Sequence, residues 1–456
     1  MKKDSIRKKR NAYVLFTREP VPGFTKTRLM PYYTAEQCAE LHECFLRDIA
    51  HEMMGRDFDI IVSYTGGEPS FLKKTFGRKA KYIEQRGNGL GQRMENAISD
   101  VLAMGYEKAV LTGSDIPELE AETIEASFAM LSASDIVIGP TSDGGYYLIG
   151  MKKLLHEAFD VKTYGVSTVF EETVSAIKAK ELTVAKVDEY QDIDTNEDLA
   201  DLRRRIVEDI HLRRSETGRF VAENLRISVI VPVFNEEKKA GSMKAQLKKA
   251  TQGRSDIEVI FVDGESTDST LEVLGDDFTV LRSKKGRAVQ MNTGAINSTG
   301  DVLFFLHCDS TLPEDFISEI KNCMKRKLFG CFGVKFDSRN FFMLTNRIIS
   351  NNRAALGGLA FGDQGIFIDR RLFLEAGMFP EIPVMEDYEF SRRMKRMGYR
   401  PVMTRHRILT SSRRYGKSTV SIVKTEMLMW YLRMLYRHGT DPGRLRVLYK
   451  DIREKH

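Results

Sequence analysis

Three short apolar runs between residues 228 and 309, each closing on polar or acidic residues, constrain this chain more than anything else in it. SVIVPVFNEE (228–237) runs straight into acids, IEVIFVDGESTDST (257–270) ends its run on Asp263, and GDVLFFLHCDSTL (300–312) ends on His307 and Asp309. Runs of this length, rich in β-branched and aromatic residues and closed by Gly, Asp or Asn, predict buried parallel strands. Ligands of open α/β sheets sit beyond the carboxyl ends of such strands. Carboxylates and a histidine at those ends suit a divalent metal holding a diphosphate. The expected chemistry is sugar transfer from a nucleotide diphosphate donor.

Size comes next. A chain of 456 residues exceeds the length at which single cores stop growing, so two domains are expected. The first half alternates strand and helix: AYVLF (12–16), DIIVSYT (59–65), KAVLTGSD (108–115) and DIVIGPTSDGGYYLIG (135–150), with helical stretches around 34–54, 90–104 and 121–132. LTVAKVDEYQDIDTNEDLADLRRRI (182–206) then reads as a strand leading into a capped helix. Residues 207–226 are charged and lack a strand pattern. The expected division is a domain over 1–215, a linker over 216–226 and a second domain over 227–456, both α/β and doubly wound.

Five cysteines (Cys38, Cys44, Cys308, Cys323, Cys331) are odd in number and show no CxxC spacing, which fits reduced thiols in a cytoplasmic protein. The basic start MKKDSIRKKR is followed by an apolar run too short for a signal-peptide core, and no stretch approaches the roughly 18 apolar residues of a membrane span. The expectation is a protein neither secreted nor spanning. Net charge is +6, but Arg392–His456 holds 18 Lys/Arg against 4 Asp/Glu, a local +14 that leaves −8 for the rest. Such a segment can meet phosphates, an anionic membrane surface or nucleic acid, or can be a solvated helical face.

In the second half, a carboxylate at Asp263, followed by small residues, can accept hydrogen bonds from a base or ribose; it can equally form an Asx turn. GRAVQMNTGA (286–295) can place basic and amide groups near phosphates. Asp309 is the expected metal ligand and His307 a second, unless His307 is a hydrogen-bonded structural residue. Glu386 and Asp387 open a helix, where the dipole favours acids whether or not they catalyse; beside a donor and metal, a carboxylate there can deprotonate an acceptor hydroxyl.

VDGESTD, GRAVQMN, LHCDS, GDQGIF and MEDYEFSRR, in that order and over nearly the whole half, resemble the family 2, GT-A-type inverting glycosyltransferases. More narrowly, they resemble transferases associated with radical-SAM and selenium/arsenosugar gene neighbourhoods. The resemblance implies that Asp263 holds the nucleoside and that Arg287, Asn292 and Gln364 line the substrate site. It also implies that Asp309 and His307 hold Mg²⁺ or Mn²⁺, and that Asp387, with Glu386, supplies the base. One departure is that His307 stands in the first position of the usual DxD.

In the first half, REPVPGFTKTRLMP (18–31) offers Gly23, where backbone amides can approach an anion, with charge from Lys26 and Arg28. Asp115 and Asp194 follow strand-like runs, Asp192 and Asp194 are expected on one strand face, and two carboxylates from separate strand ends suit Mg²⁺ on a nucleotide. Asp194 can alternatively cap the helix that follows. PGFTKTRL, GNGLGQRM, GSDIP, DGGYYLIG and DIDTNEDL together are similar to phospholactate guanylyltransferases, which share the GT-A-like sheet. That likeness implies nucleotide contacts at Gly23, Lys26, Arg28, Gly91 and Asp143 and metal contacts at Asp115 and Asp194. It departs from many sugar nucleotidyltransferases in having Pro20 and Pro22 instead of a GGxGxR loop.

The expectation that follows is a bifunctional transferase of two GT-A-like domains in tandem, binding a nucleotide and a nucleotide-diphosphate sugar. Its acceptor would be a small molecule or a lipid. The alternative is that only the C-terminal half is catalytic. Nucleic-acid binding is not expected, because the basic segment lacks a recognition motif. TEMLMWYLRMLYRHG (425–439) reads as a helix apolar almost all round, either buried or lying at an interface, with Arg433, Arg437, Arg444 and Arg446 able to grip a headgroup or phosphate.

Overall fold

The computed structural model describes residues 11–160, 164–165, 167–338, 340–410 and 419–453. The described chain divides into two compact units. One runs to Arg205 and takes in Asp209–Val221; the other comprises Ile206–Glu208 and the chain from Ala222 onward.

Each unit is built on a seven-stranded sheet. The N-terminal unit contains β1 (Asn11–Arg18), β2 (Asp59–Thr65), β3 (Lys81–Glu84), β4 (Lys108–Thr112), β5 (Ile136–Pro140), β6 (Tyr146–Met151) and β7 (Val184–Lys186). The C-terminal unit contains β8 (Ile227–Val233), β9 (Ile257–Asp263), β10 (Thr279–Arg282), β11 (Val302–Phe305), β12 (Phe329–Phe336), β13 (Ile366–Asp369) and β14 (Val402–Thr410). The strand orders are β3-β2-β1-β4-β6-β5-β7 and β10-β9-β8-β11-β13-β12-β14, the same permutation twice. In each, the sixth strand in sequence runs antiparallel to both neighbours while the other pairings are parallel.

Neighbouring strand residues feed opposite faces, as the pleat requires. Tyr13, Leu15, Val62 and Val110 join one core while Ala12, Val14, Ile61 and Leu111 join the other. In the second unit Val229, Val231 and Phe304 separate in the same way from Ile230, Leu303 and Phe305. With both faces covered, a strand has no polar side, which is why these runs read as continuous apolar stretches.

Three local expectations change. DIVIGPTSDGGYYLIG is a hairpin of two strands, closed by Asp143, whose Oδ1 accepts from the Thr141 hydroxyl (2.6 Å) and the Gly145 N–H (3.0 Å). Asp192 and Asp194 are not on a strand; after the isolated bridge Thr141↔Tyr190 the chain is irregular. Residues 216–226 are not an open linker, for Glu216–Glu223 is a helix whose first N–H groups donate to Asp48 (both 2.9 Å). All five cysteines are free and buried.

Candidate functional site

The carboxyl ends of the central parallel strands carry the candidate chemistry in both units. Of the six non-glycine residues with positive φ among the described residues, four (Lys26, Asn235, Glu265 and Met385) lie on the loops or turns at these ends. Strained backbone of this kind persists where surrounding structure fixes it, and it clusters at functional sites.

In the N-terminal unit, the loop after β1 folds Lys26 inward. Its ammonium lies 2.6 Å from Asp115 and 3.1 Å from Asp194, and donates to the Ile193 carbonyl at 2.5 Å. Ile193 N–H in turn donates to the Asp115 carbonyl (3.0 Å), which ties the 191–195 segment to the end of β4. An ammonium has three donors, and all three are engaged within the fold. The expectation that Lys26 presents its charge to a ligand is therefore corrected: the residue is nearly fully buried and bridges two acids. Arg28 lies farther out, 3.5 Å from Asp194, with its side chain exposed. Gly23 takes φ +81° in an open turn.

Four carboxylates gather here. Burial raises the Asp192 carboxyl, and the nearby Asp143, Asp194 and Asp115 push it further, to about 6. Burial alone would raise Asp115 as well, but Lys26, His42 and Arg18 together hold it below its ordinary value. His42, buried behind this cluster and 3.2 Å from the Thr17 hydroxyl, is driven down to about 4, chiefly by burial. It is neutral near pH 7. Asp194 is not the helix cap: Thr195 caps Asn196–Glu208 in a capping box with Asp198. Gly91 is used for packing, since a Cβ there would lie 2.4 Å from the Phe159 carbonyl oxygen.

In the C-terminal unit, Asp263 ends β9 and accepts from the N–H groups of Glu265 and Ser266 (3.1 Å each), so the Asx-turn geometry is present. Gln290 donates to the carbonyls of Val233 (2.7 Å) and Val262 (2.8 Å), pinning the ends of β8 and β9. Gln85 does the same for β1 and β2, donating to Thr17 and Ser63. His307 and Asp309 follow β11 and are partly exposed. On the facing side, Asp387 near the start of helix Glu386–Arg396 accepts from the Gly362 N–H (2.7 Å) and the Tyr388 N–H (2.6 Å). Gly362 lets His307 and Asp387 approach each other: a Cβ there would be 2.9 Å from His307 Nε2 and 3.3 Å from Asp387 Oδ2.

Glu386 and Asp387 play different parts. Glu386 is buried and lies 3.3 Å from Arg287. Burial keeps its carboxyl above the ordinary value against the pull of Arg287, with Asp387 adding to the rise. It is placed to orient Arg287 rather than to meet an acceptor.

Two expected ligand contacts are corrected. Asn292 exchanges both amide bonds with the Phe379 backbone (2.9 and 3.1 Å), and Gln364 is fully buried, bonded to Phe361 N–H and the Phe332 carbonyl. Both serve the fold. Conversely, the sequence pattern gives no metal role to Asp192 and does not mark Gln290, Gly362 or the Phe361–Tyr388 stack (5.8 Å, 17°) individually. For Asp192, its place beside Asp194 in DIDTNEDL was the available signal.

Among the described residues, the group of three metal-binding residue types whose ligand atoms all lie within 4.8 Å of one another is Asp315, Glu319 and His406. His406 Nδ1 lies 2.7 Å from Asp315, and Glu319 Oε2 accepts from Arg405 N–H. It serves as a hydrogen-bonded clasp between a helix and β14.

Residues 51–166 match the family described as uncharacterized protein conserved in bacteria (DUF2064), and residues 228–373 match glycosyl transferase family 2. Over 213 residues the chain is 25% identical to 2-phospho-L-lactate guanylyltransferase of Methanocaldococcus jannaschii, covering 43% of this chain and 91% of that one. It is 30% identical over 127 residues to the poly(ribitol-phosphate) beta-N-acetylglucosaminyltransferase TarP of Staphylococcus aureus, covering 25% of this chain and 39% of TarP. Among solved structures, a provisionally named nucleotide-diphospho-sugar transferase of Desulfovibrio desulfuricans G20 is 32% identical, covering 47% of this chain and 95% of that one, with a TM-score of 0.45. The chain consists of two α/β units with one strand permutation, the first similar in sequence to guanylyltransferases. The second carries the glycosyl transferase family 2 match over residues 228–373.

Proposed function

We propose that the C-terminal unit transfers a sugar with inversion from a nucleotide-diphosphate donor to a hydroxyl acceptor, either a small molecule or a lipid. The observation that carries this reading is the meeting of His307, Gly362 and Asp387 beyond β11, with Asp309 two residues past His307. Asp387 takes the acceptor hydroxyl proton as that oxygen attacks the anomeric carbon, and the bond to the nucleoside diphosphate breaks on the opposite face. Arg287, held by Glu386, faces the departing diphosphate. The loop that Asp263 shapes by its Asx turn receives the nucleoside.

The Asp309 carboxylate suits Mn²⁺ or Mg²⁺ as a protein ligand, and the His307 imidazole beside it would favour the transition metal, Mn²⁺. When bound, the ion neutralises charge on the leaving diphosphate. Donor hydrolysis and transfer with a panel of nucleotide sugars, with and without each metal, test the reading. Metal-independent activity undiminished in Asp309→Ala would sink it.

For the N-terminal unit we propose metal-assisted nucleotidyl or glycosyl transfer. It is supported by the Asp115, Asp143, Asp192 and Asp194 carboxylates, whose mutual repulsion shows in Asp192, and by the likeness to guanylyltransferases. Asp115, Asp192 and Asp194 offer oxygen donors of the kind Mg²⁺ or Mn²⁺ takes once Lys26 yields Asp115 and Asp194. The exposed Arg28, 3.5 Å from Asp194, lies at the outer edge of the cluster. One observation favours the second reading, a non-catalytic binding domain: the Lys26 ammonium already neutralises Asp115 and Asp194. Product formation decides between them: a competent site releases pyrophosphate or nucleoside diphosphate only when the metal is present, whereas a binding domain shows a nucleotide-dependent thermal shift without turnover. A bifunctional role in arsenosugar assembly within the cytoplasm would place both reactions in one sequence, the first making an activated donor that the second consumes.

A further inference from the structure

Helix Phe341–Ala355 is built inside out. Its inward face includes Asn346, Ser350 and Asn351 beside Met343 and Ala354, all buried. Its outward face carries Phe341 (73% exposed), Ile348 (54%) and Ile349 (55%), with Phe342, Leu344 and, just past its end, Leu356 (77%). A helix in a water-facing shell presents the opposite pattern. The neighbouring helix Thr419–Arg437 packs against it through Ile422, Met343, Val334 and Phe336, and Asn340 donates to the Thr419 hydroxyl (3.1 Å). Its exposed positions Val420, Lys424, Met427 and Tyr431 form one stripe at helical spacing, with Trp430 (62%) beside it. Two adjoining helices therefore leave apolar and aromatic side chains uncovered. Patches of this kind on a soluble domain mark interaction sites.

We propose that these two helices dock the protein on an anionic lipid bilayer surface, lying in its interface. Charge selects that occupant. Lys335 and Arg347, two cations against the one acid Asp337, line a cleft with Phe336, Met343 and Leu344 at the flank of the first helix. Lys424 interrupts the second stripe, and Arg444 and Arg446 are exposed on the helix that follows. All but Lys335 and Arg347 belong to the segment from Arg392 with its +14 excess, while the rest of the chain is net negative. Apolar anchors among cations, with Trp and Tyr between them, are the makings of an interfacial helix on anionic headgroups. A second copy of the chain would bring like-charged faces together, since a two-fold contact opposes each patch to itself. Among the described residues no helix is long and apolar enough to cross a membrane, so the contact is peripheral.

Co-sedimentation of the full chain with phosphatidylcholine vesicles, with and without phosphatidylglycerol, tests this. Pelleting is expected with the anionic vesicles alone, diminished at high salt. Ile348→Glu combined with Ile349→Glu should weaken it by roughly tenfold or more, because anchors are lost and repulsion is gained. Both positions are exposed, so the melting temperature should hold; if it falls, Trp430→Ala and Lys424→Glu replace that pair and must weaken pelleting likewise. Absence of pelleting with anionic vesicles overturns the proposal, as does equal pelleting by the variants. A concentration-dependent dimer in sedimentation velocity that the variants disperse, without lipid binding, also overturns it in favour of self-association.

Discussion

Asp192 reports the electrostatics of the N-terminal cluster more directly than any other side chain. Its carboxyl is raised to about 6, so the folded unit binds that proton more tightly than the unfolded chain does. Stability is lost as pH rises from the ordinary carboxyl range through 6, and a divalent cation restores it. Below about pH 6 the proton competes with the metal, so Mn²⁺ affinity should fall by about tenfold per pH unit, a dependence that Asp192→Asn should flatten in calorimetric titration. Lys26→Met should destabilise the metal-free unit by about 2 kcal/mol, less than the ~3–5 of a fully buried pair because Asp115 and Asp194 are 42% and 35% exposed. Added Mn²⁺ should return the lost melting temperature. If it does not, the acids serve the ion pair alone. In the C-terminal unit the corrected residues give an opposite pair of expectations. Asn292→Ala should lower stability by about 1–3 kcal/mol by orphaning the Phe379 backbone groups, and leave donor affinity unchanged. Asp387→Asn should leave donor affinity alone and reduce turnover by roughly 10²–10⁴-fold.

At the scale of elements, what the sequence disclosed depended on how local its signal was. Strand ends were legible because an apolar run closing on Asp263 or Asp309 is a short-range pattern, and it also identifies the end of the sheet that binds ligands. Strand direction was not legible. The continuous apolar pattern of β6 and β13 does not encode that they run antiparallel, and the β5–β6 hairpin was hidden inside one apolar stretch. Side-chain partners far along the chain were equally invisible: Lys26 meets Asp194 168 residues away, and Asn292 meets Phe379 87 residues away. Residues at motif positions thus divided into those facing the site and those used by the fold. The inverted helix Phe341–Ala355 drew no expectation, for an apolar stripe in sequence does not say which way it faces. The short helical turn Gly362–Gln364 gives this scale its own test. Gly362→Ala should cut turnover sharply by forcing His307 and Asp387 apart. Circular dichroism and melting should stay near the parent's, because the contacts a Cβ would make are with side chains rather than backbone. Unchanged turnover would remove the His307–Asp387 approach from the catalytic account.

Across the whole molecule, one strand permutation occurs twice, and in both units the first acids beyond the fourth strand, Asp115 and Asp309, stand at equivalent topological positions. The same scaffold carries different surroundings: a lysine-bridged acidic cluster in one unit, and in the other a histidine facing a carboxylate across a glycine. Composition explains part of the difference. Two carboxylates and an ammonium compensate one another in the first unit, whereas in the second a carboxylate and an imidazole follow the fourth strand without a lysine between them. The central claim is metal-dependent sugar transfer in the C-terminal unit. It is tested most directly by following release of nucleoside diphosphate from a panel of nucleotide sugars by the full chain, in Mn²⁺ or Mg²⁺ and in EDTA, beside Asp309→Ala. The account predicts release from at least one donor, abolished by chelation and by the substitution. Release that persists undiminished in both would contradict it.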